Sequence, residues 1–326
     1  MKPMKKFALI PLLTICTIIL TFYSCKKDED TITPVVEETT PTTNTPTSST
    51  SNLSDIFNQN VTDNTQSFNV DASTWSSFTG SKGTYAYIPA NSFKNNSGNI
   101  VSGNISIELI EIQTKADMIW MNKTTTSNGQ LFVSGGELSI KAFQNGQQLT
   151  LSQNGYVSIQ MPTNNPTNMS LFSGTEDATG NVNWDTTSTP AAVDSSGSFV
   201  FTIYNGTLGS DSLGWINCDY FFGQVNLTTL NITVPTFHNN TNTNTFLFFH
   251  NIYSVAGTVW DGNVPHFRSY TNSVPIGQQI TIVSISEING QLYSSFTPIT
   301  LTANHTEAIT YSTTTSAALQ SDLNNL

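Results

Sequence analysis

The side chains that most often carry out chemistry are sparse in this chain of 326 residues. Its histidines are His238, His250, His266 and His305, and none stands at a zinc-binding spacing or in a His-Glu-x-x-His pair. His250 lies in a phenylalanine-rich segment, which favours a buried, hydrogen-bonded histidine over a metal ligand. A Gly-x-Ser-x-Gly nucleophile turn does not occur. We therefore predict no catalytic residue, no metal, no cofactor and no enzymatic activity.

Two acidic patterns remain as candidates for chemistry. Glu108 and Glu111 fall in one predicted strand, and because their separation is odd they face opposite sides unless a bulge brings them together. Segment 177–185 places oxygen-bearing side chains around Gly180, which is the kind of ligand set that Ca²⁺ takes. The segment does not match the helix-loop-helix calcium pattern, so a hairpin turn at Gly180 is the favoured interpretation.

The N-terminal segment has the charge layout of a secretory signal. Three lysines precede an uncharged, largely apolar run at 7–24, and Cys25 follows directly. A retained membrane helix is the alternative, but the run is near the lower length limit for a span and contains Pro11. Residues 22–25, Phe-Tyr-Ser-Cys, resemble the lipobox of bacterial lipoproteins. That resemblance implies a cleaved signal peptide at 1–24 and lipidation of Cys25 by acyl chains such as palmitate.

The residues after this cysteine suggest where such a protein is sent. A lysine-plus-acid cluster follows at once, made of Lys26, Lys27, Asp28, Glu29 and Asp30. It resembles the export tag of Bacteroidetes lipoproteins that reach the outer face of the outer membrane, although an ordinary solvated charge run is an equally good interpretation. Segment 25–52 is otherwise rich in Thr and Pro, so we expect a flexible linker. The expected location is the outer membrane, lipid-anchored and exposed at the cell surface.

Charge and cysteine count exclude several classes of function. The formal net charge is −11 and Arg268 is the single arginine, which argues against nucleic acid as a partner because phosphate binding depends on cationic side chains. Cys16 would leave with the signal peptide, and Cys25 would be lipidated. Cys218 then has no partner for a disulfide, and its apolar surroundings predict a small buried side chain rather than a nucleophile.

Most of the remaining chain shows the period of two that is typical of β-strands. Segments 137–144, 147–153 and 156–161 are separated by Asn-Gly dipeptides, which favour tight hairpins, and we predict that these segments form an antiparallel meander. At 105–112 the apolar positions change parity after Leu109, which predicts either a β-bulge or a change of neighbouring strand.

Helical patterns are rare in this sequence. Residues 116–121 are consistent with one helical turn, and Leu319, Leu323 and Leu326 allow a short terminal helix. Segment 246–252 is apolar on both faces, which is typical of a strand in the centre of a β-sandwich. These patterns together predict an all-β fold.

Segment 83–112 contains a distinctive set of residues. Ile88-Pro89-Ala90 is followed by Phe93 and by glycines ahead of a long strand. This set resembles the β-sandwich domain shared by zonula occludens proteins, ankyrins and netrin receptors. The resemblance implies that Phe93 plugs an edge of the sandwich, and it implies an interaction or structural role without catalytic residues. Segments 117–137 and 213–222 resemble elements of Bacteroidetes surface lipoproteins of unknown role.

The expected organisation is a series of consecutive antiparallel β-sandwich domains after the signal and linker. The predicted divisions are a signal peptide at 1–24, a lipidated cysteine and linker at 25–52, an N-terminal β-sandwich at 53–165, a connecting β region at 166–225, and a C-terminal β-sandwich with a short terminal helix at 226–326. We expect a binding or scaffolding protein of the cell envelope, held in the membrane by its lipid. Its partner is an unknown protein or glycan, and Trp120 is the candidate ligand contact. A glycan-active enzyme and a purely structural envelope component are the alternatives.

Overall fold

The computed structural model describes residues 52–167, 169–177, 179–223 and 226–326. They belong to one compact unit, Ser48–Leu326. Antiparallel strands dominate this unit, so the predicted all-β fold class is confirmed. Cys25, the charged cluster at 26–30 and the predicted signal peptide lie outside the described residues. Within the described part of the chain, no helix has the length and apolarity needed to cross a bilayer.

The described chain forms helices α1 at Leu53–Asp63, α2 at Lys115–Trp120 and α3 at Ser316–Asn324. α1 begins at Asn52, whose side chain accepts a hydrogen bond from the Asp55 amide in a capping box. α2 begins in the same way at Thr114, and it confirms the helical turn predicted at 116–121. The predicted terminal helix is α3, which buries its leucines at 319 and 323.

The first fourteen strands of the described chain run from residue 66 to residue 221. They are β1 Gln66–Asp71, β2 Ser76–Thr79, β3 Tyr85–Ile88, β4 Phe93–Lys94, β5 Asn104–Ile112, β6 Thr126–Ser127, β7 Gln130–Gln144, β8 Gln147–Gln148, β9 Thr150–Leu151, β10 Tyr156–Met161, β11 Met169–Glu176, β12 Val182–Val193, β13 Phe199–Tyr204 and β14 Trp215–Phe221. Most of them form a 12-stranded sheet in the order β1-β5-β7-β14-β11-β12-β13-β10-β3-β2, with β6 and β8 added on β7. Strands from both sides of residue 165 therefore share one sheet.

Strand β12 connects the two halves of this sheet. Most of its length pairs with β11, and its last two residues pair with β13. The inward side chains of both halves meet in one hydrophobic cluster, cluster 1, which contains Leu138 from the first half and Ile159 from the second. Phe93 is also fully buried in cluster 1.

The remaining strands of the described chain follow residue 226. They are β15 Leu227–Thr228, β16 Asn231–Thr233, β17 Thr243–Phe249, β18 Val255–Gly257, β19 Val259–Asp261, β20 His266–Arg268, β21 Val274–Pro275, β22 Gln279–Ile288, β23 Gln291–Thr300, β24 Thr306–Ala308 and β25 Ser312–Thr314. They form a five-stranded sheet in the order β18-β17-β22-β23-β25 and a four-stranded sheet in the order β19-β20-β16-β24. Two short pairs, β15-β21 and β4-β9, complete the described pairings.

Strand β17 is buried on both faces, which confirms the prediction for residues 246–249, but the strand ends at Phe249 and does not include residues 250–252. Phe246 and Phe248 enter a second hydrophobic cluster, cluster 2, which also contains apolar residues of the three helices and of the first sheet. Leu247 and Phe249 enter a third, cluster 3, with residues of β16, β20 and β22. Because β17 contributes to both clusters, it is the central strand of the C-terminal part.

The β-bulge predicted as one alternative in segment 105–112 is wrong. β5 pairs in continuous register with β1 and with β7. Its pairing with β1 ends at Leu109. Up to this residue its inward side chains lie in cluster 1, whereas Ile110 and Ile112, on the opposite face, are buried in cluster 2. The change of parity therefore reflects burial of both faces and not an extra residue.

The meander predicted at 137–161 is also wrong. β7 and β8 form a hairpin, but two residue pairs are all that join them. β9 pairs instead with β4, and β10 pairs with β13 and β3. Leu149 and Leu151 are buried in cluster 1, and this non-local burial takes the chain away from the edge of β7.

The Asn-Gly dipeptides divide into two groups. Asn128, Asn145 and Asn289 have positive φ and precede a glycine of positive φ, which is the type I′ combination expected for a tight hairpin. The asparagines at 154 and 205 are not left-handed, so those two dipeptides do not form that turn. The dipeptide alone therefore predicts the turn type at three of its five positions.

Candidate functional site

Four neighbouring strands of the large sheet alternate between buried and solvent-facing positions. In β3, Ala86 and Ile88 are buried in cluster 1, whereas Tyr85 and Tyr87 face outward. β2, β10 and β13 follow the same alternation, with their apolar side chains inward. The outward positions of these strands form one continuous surface, because β13, β10, β3 and β2 are consecutive neighbours.

We name this surface the tyrosine face. It consists of Ser77 and Thr79 of β2, Tyr85 and Tyr87 of β3, Tyr156, Ser158 and Gln160 of β10, and Val200, Thr202 and Tyr204 of β13, with Trp75 just before β2. The strand register sets Ser77, Tyr87, Ser158 and Thr202 in one row across the four strands. This row therefore places the ring of Tyr87 beside three aliphatic hydroxyl groups.

Three of the five aromatic side chains of the tyrosine face are exposed. Trp75 is 67 % exposed, Tyr204 is 55 % exposed and Tyr85 is 39 % exposed. Trp75 stacks on Tyr87 with ring centroids 6.3 Å apart and an interplanar angle of 28°. The ring of Tyr156 lies 5.4 Å from that of Tyr204. Single exposed aromatic residues are common, but a group of them on one sheet surface indicates a binding surface.

The tyrosine face is also uncharged. The sequences of β2, β3, β10 and β13 contain no Asp, Glu, Lys or Arg. At the margin, Gln160 Nε2 donates to Asp194 Oδ2 over 2.7 Å. The pKa of Asp194 is lowered chiefly by the hydrogen bond from the Ser196 side chain. This bond holds the Asp194 carboxylate within the turn at 194–198. The surface of the four strands thus offers hydroxyl, amide and aromatic groups to a ligand.

A second polar cluster lies between β7 and β14. The register between these strands shifts after Asn217, so that Asn217 opposes Glu137 whereas Asp219 opposes Ser134. The extra residue in β7 falls at Gly135-Gly136, as in a β-bulge. Ser134 Oγ donates to Asn217 Oδ1 over 3.2 Å, and Asn217 Nδ2 donates to Asp219 Oδ2 over 2.7 Å. The shift thereby gathers two acidic residues around one buried asparagine.

These two acids, Glu137 and Asp219, are 0 % exposed. Within the described chain, both carboxyl oxygens of Glu137 and Oδ1 of Asp219 have no hydrogen-bond partner. Burial raises the pKa of both carboxyl groups well above the ordinary value, and the Asp219 carboxylate raises the pKa of Glu137 further. Acids that hydrolyse glycans must reach the scissile bond, and this pair is closed off from solvent.

Trp120, the predicted ligand contact, lies at the end of α2 rather than in an exposed loop. It is half-buried and packs against cluster 2, and its carbonyl oxygen accepts a hydrogen bond of 2.8 Å from Asn60 Nδ2. Its role in ligand binding stays a prediction, as do the lipidation of Cys25 and the export function of residues 26–30.

Glu108 and Glu111 do not form a carboxylate pair. β5 is regular, so the two side chains face opposite sides as their odd separation predicts. Glu111 is buried and accepts hydrogen bonds from the backbone amides of Lys82 and Thr84 over 2.9 Å and 2.8 Å. It therefore fixes the turn between β2 and β3.

The other candidates are structural side chains. His250 is exposed rather than buried, because β17 ends at Phe249, and its Nε2 lies 2.9 Å from Thr281 Oγ1. Asp177 Oδ1 accepts hydrogen bonds within the turn at Gly180, which confirms the hairpin predicted there. Cys218 is fully buried in cluster 1, as predicted. No group of three His, Cys, Asp or Glu side chains among the described residues is placed to hold a metal ion.

The tyrosine face was not found by sequence reasoning, although a signal for it exists. Tyr-Ala-Tyr-Ile in β3 and the final tyrosine of β13 place aromatic residues at positions that the alternation assigns to solvent. The fold and site thus define an all-β protein with an exposed, uncharged aromatic surface. No protein-family model matches the sequence, and no significant match to a curated protein is found.

Proposed function

We propose that this protein is a lipid-anchored binding protein of the cell envelope, exposed at the cell surface, and that its tyrosine face binds a neutral glycan. The observation that carries this proposal is the combination of exposed aromatic rings with hydroxyl and amide groups on four strands without a charged residue. An uncharged surface gives no electrostatic attraction to anionic ligands and no penalty for neutral ones.

The chemistry of the face suits sugar rings. A pyranose presents an apolar C–H surface that packs on aromatic rings, and its edge carries hydroxyl groups that need hydrogen-bond partners. Tyr85 and Tyr204 supply exposed rings, and Ser158 and Gln160 supply polar partners between them. Neighbouring strands lie about 4.8 Å apart, so four strands span roughly 14 Å. That width fits a short run of sugars better than a single ring.

The location is supported by the N-terminal sequence. The resemblance of residues 22–25 to a lipobox implies an acylated Cys25, and the charged cluster that follows resembles an outer-surface export tag. A 22-residue linker at 31–52 would reach about 70 Å when extended at ~3.1 Å per residue. Such a tether would hold the folded part clear of the lipid surface.

The location is tested by protease shaving of intact cells, with the wild-type protein beside Cys25→Ala. The lipidated protein should be removed from whole cells, whereas the Cys25→Ala protein should leave the membrane fraction. If the wild-type protein is cut only after lysis, the export-tag interpretation is wrong. The partner should then be sought inside the outer membrane.

The ligand class is tested with the full chain carrying Cys25→Ala and a panel of neutral and acidic polysaccharides. Binding to one or more neutral glycans should weaken at least tenfold in the double variant Tyr156→Ser/Tyr204→Ser, because two ring contacts are lost together. The control is Tyr220→Ser, which removes an exposed tyrosine outside the face. Equal loss in this control, or preference for acidic glycans, would contradict the proposal.

The alternatives make different predictions in the same assays. A glycan-active enzyme would release soluble sugars from the polysaccharide that it binds, and one acid-to-amide substitution would stop the release. A purely structural component would show no change in melting temperature with any glycan. A protein partner would bind through the same face while every glycan in the panel failed to bind.

A further inference from the structure

Ring-bearing side chains lie side by side at one end of the tyrosine face. Strand β10 pairs Tyr156 with Tyr204 of β13. The registers of β10 with β3 and of β3 with β2, continued past the strand ends, bring Pro89 and Trp75 into line with this pair. All four residues have the parity of the outward positions on their strands. We name Trp75, Pro89, Tyr156 and Tyr204 the ring row.

The ring row is accessible along its length. Trp75 and Tyr204 at its two ends are exposed, and Pro89 and Tyr156 between them are half-buried. Because neighbouring strands lie about 4.8 Å apart, the four side chains span roughly 14 Å. The ring centroids of Tyr156 and Tyr204 are 5.4 Å apart, close to this spacing. A sugar residue in an extended chain has nearly the same length, so each of four successive sugars can lie over one ring.

A row of hydroxyl groups runs beside the ring row. It is the next row of outward side chains, and it contains Ser158 and Thr202 next to Tyr87 and Ser77. Ser158 Oγ and Thr202 Oγ1 lie 3.0 Å apart and share one hydrogen bond, which leaves lone pairs on both oxygens for a ligand. Sugar faces on the ring row would place their edge hydroxyls over these groups. The chain axis then runs across the strands and not along them.

The shape of the ring row selects among glycan linkages. A β-1,4-linked chain of hexoses extends as a ribbon with its rings in line, whereas an α-1,4-linked chain coils and leaves a straight row after a short contact. The planes of Tyr156 and Tyr204 are inclined by 46°, in keeping with the twist between neighbouring strands. A single chain can follow this twist, but the flat face of a crystalline glycan cannot contact all four rings.

We infer that the ring row binds a single extended chain of a neutral, β-1,4-linked glycan across the four strands, with about four sugars in contact. This inference rests on the proposed glycan-binding function and adds the linkage, the direction and the length of the bound segment. Tyr85 lies four residues along β3 from Pro89, about 13 Å away, so it falls outside the footprint of an unbranched chain.

The test uses the full chain with Cys25→Ala and isothermal titration with two series of probes, cello-oligosaccharides and malto-oligosaccharides of two to six residues. Each added ring contact should raise the affinity about threefold to tenfold. The affinity for cello-oligosaccharides should therefore rise from two to four residues and then stay constant. Malto-oligosaccharides of four residues should bind at least tenfold more weakly, and crystalline cellulose should not retain the protein.

Two variants on the same face locate the chain. Trp75→Ala removes one end of the ring row, so the affinity for cellotetraose should fall about threefold to tenfold and the rise with length should end at three residues. Tyr85→Ser is the matched control, because it removes an exposed ring from the same face but away from the row. It should change the affinity for cellotetraose by less than twofold. Both side chains are exposed, so both variants should keep the melting temperature of the parent.

Several results would overturn the inference. Equal binding of the two oligosaccharide series, no rise in affinity beyond two residues, or an equal loss in Trp75→Ala and Tyr85→Ser would each show that the ring row does not set the footprint. If neutral polysaccharides still bind in such a case, the proposed function stands and the ring row alone is wrong. If no neutral glycan binds, both are wrong.

Discussion

Glu137 and Asp219 share one buried face of the adjacent strands β7 and β14, and each raises the cost of ionising the other. Asn217 lies opposite Glu137 and donates to Asp219, but no described side chain donates to Glu137. A buried carboxyl without hydrogen-bond donors is most stable in its protonated form, and the charge of Lys123 opposes this effect on the pKa of Glu137 without cancelling it. The fold therefore contains an acid whose charge state depends on folding.

The first prediction concerns pH. The pKa of Glu137 is raised in the folded protein from an ordinary value of 4.5. Below about pH 4.5 Glu137 is protonated in both the folded and the unfolded state. Above about pH 4.5 it ionises first in the unfolded state, because its pKa is lower there. The free energy of unfolding therefore falls as the pH rises, by up to about 1.4 kcal/mol per pH unit. Glu137→Gln should therefore be more stable than the wild type at pH 7.5 and about equal at pH 4.5. Urea unfolding at both pH values measures this.

The control for this prediction is Glu108→Gln, the same chemical change at a half-buried strand position. It should keep the pH dependence of the wild type. If Glu137→Gln keeps that dependence as well, Glu137 is not the group responsible.

The second prediction concerns the ion pair of Lys123 and Glu176, in which only the lysine is buried. Lys123 Nζ lies 2.8 Å from Glu176 Oε1, and the Lys123 side chain is 1 % exposed whereas that of Glu176 is 35 % exposed. Glu176→Ala would leave a buried ammonium and also remove the acceptor of Trp215 Nε1, so it should cost about 2 kcal/mol. Lys123→Met leaves a carboxylate that water can reach, and should cost less than ~1 kcal/mol. If chemical denaturation gives the same loss of stability for both variants, burial of the lysine does not decide which substitution is more destabilising.

The third prediction compares Gly135, which lies inside the buried part of β7, with Gly146, which lies in the turn after this strand. A Cβ at Gly135 would lie 2.2 Å from the ring of Phe199 and 2.6 Å from the sulfur of Met169, so Gly135→Ala should cost about 3 kcal/mol or more. Gly146 has open space around it but a φ of +76°, so Gly146→Ala should cost about 1 kcal/mol through backbone strain. Melting temperatures of the two variants should rank in that order. A reversed ranking would contradict the tight packing at Gly135.

The fourth prediction concerns the thiol of Cys218. It is fully buried in cluster 1, and burial raises its pKa well above 9.0. Iodoacetamide should therefore leave Cys218 unmodified in the native protein and modify it rapidly in concentrated urea. Mass spectrometry of the peptide that contains Cys218 measures both rates. Rapid labelling without denaturant would mean that cluster 1 opens readily.

Strand positions were predictable where alternation and turn residues agree. Segment 156–161 was predicted as a strand, and β10 occupies Tyr156–Met161. The choice of partner strand was not predictable, because it depends on which apolar side chains meet in the folded core. Leu149 and Leu151 show this, since their burial in cluster 1 removes β9 from the expected meander.

The candidate sites were less predictable than the strands. The tyrosine face requires β13, β10, β3 and β2 to be neighbours, and their order in the sheet differs from their order in the sequence. The acid pair requires the register shift at 135–136. In each case local pattern supplies the residue types, and long-range pairing decides whether they meet.

The position of α1 has a mechanical consequence. Any tension transmitted through the residues before Asn52 would be applied first to α1, which is held on cluster 2 by Leu53 and Phe57. A short amphipathic helix peels from its support residue by residue, whereas the strands of the large sheet share many hydrogen bonds under load. Pulling on the N-terminus in an optical trap should thus give a small early extension before the main rupture. Since Leu53 and Phe57 also line a cavity of about 410 Å³ beside β17, the same pull would open that cavity to solvent.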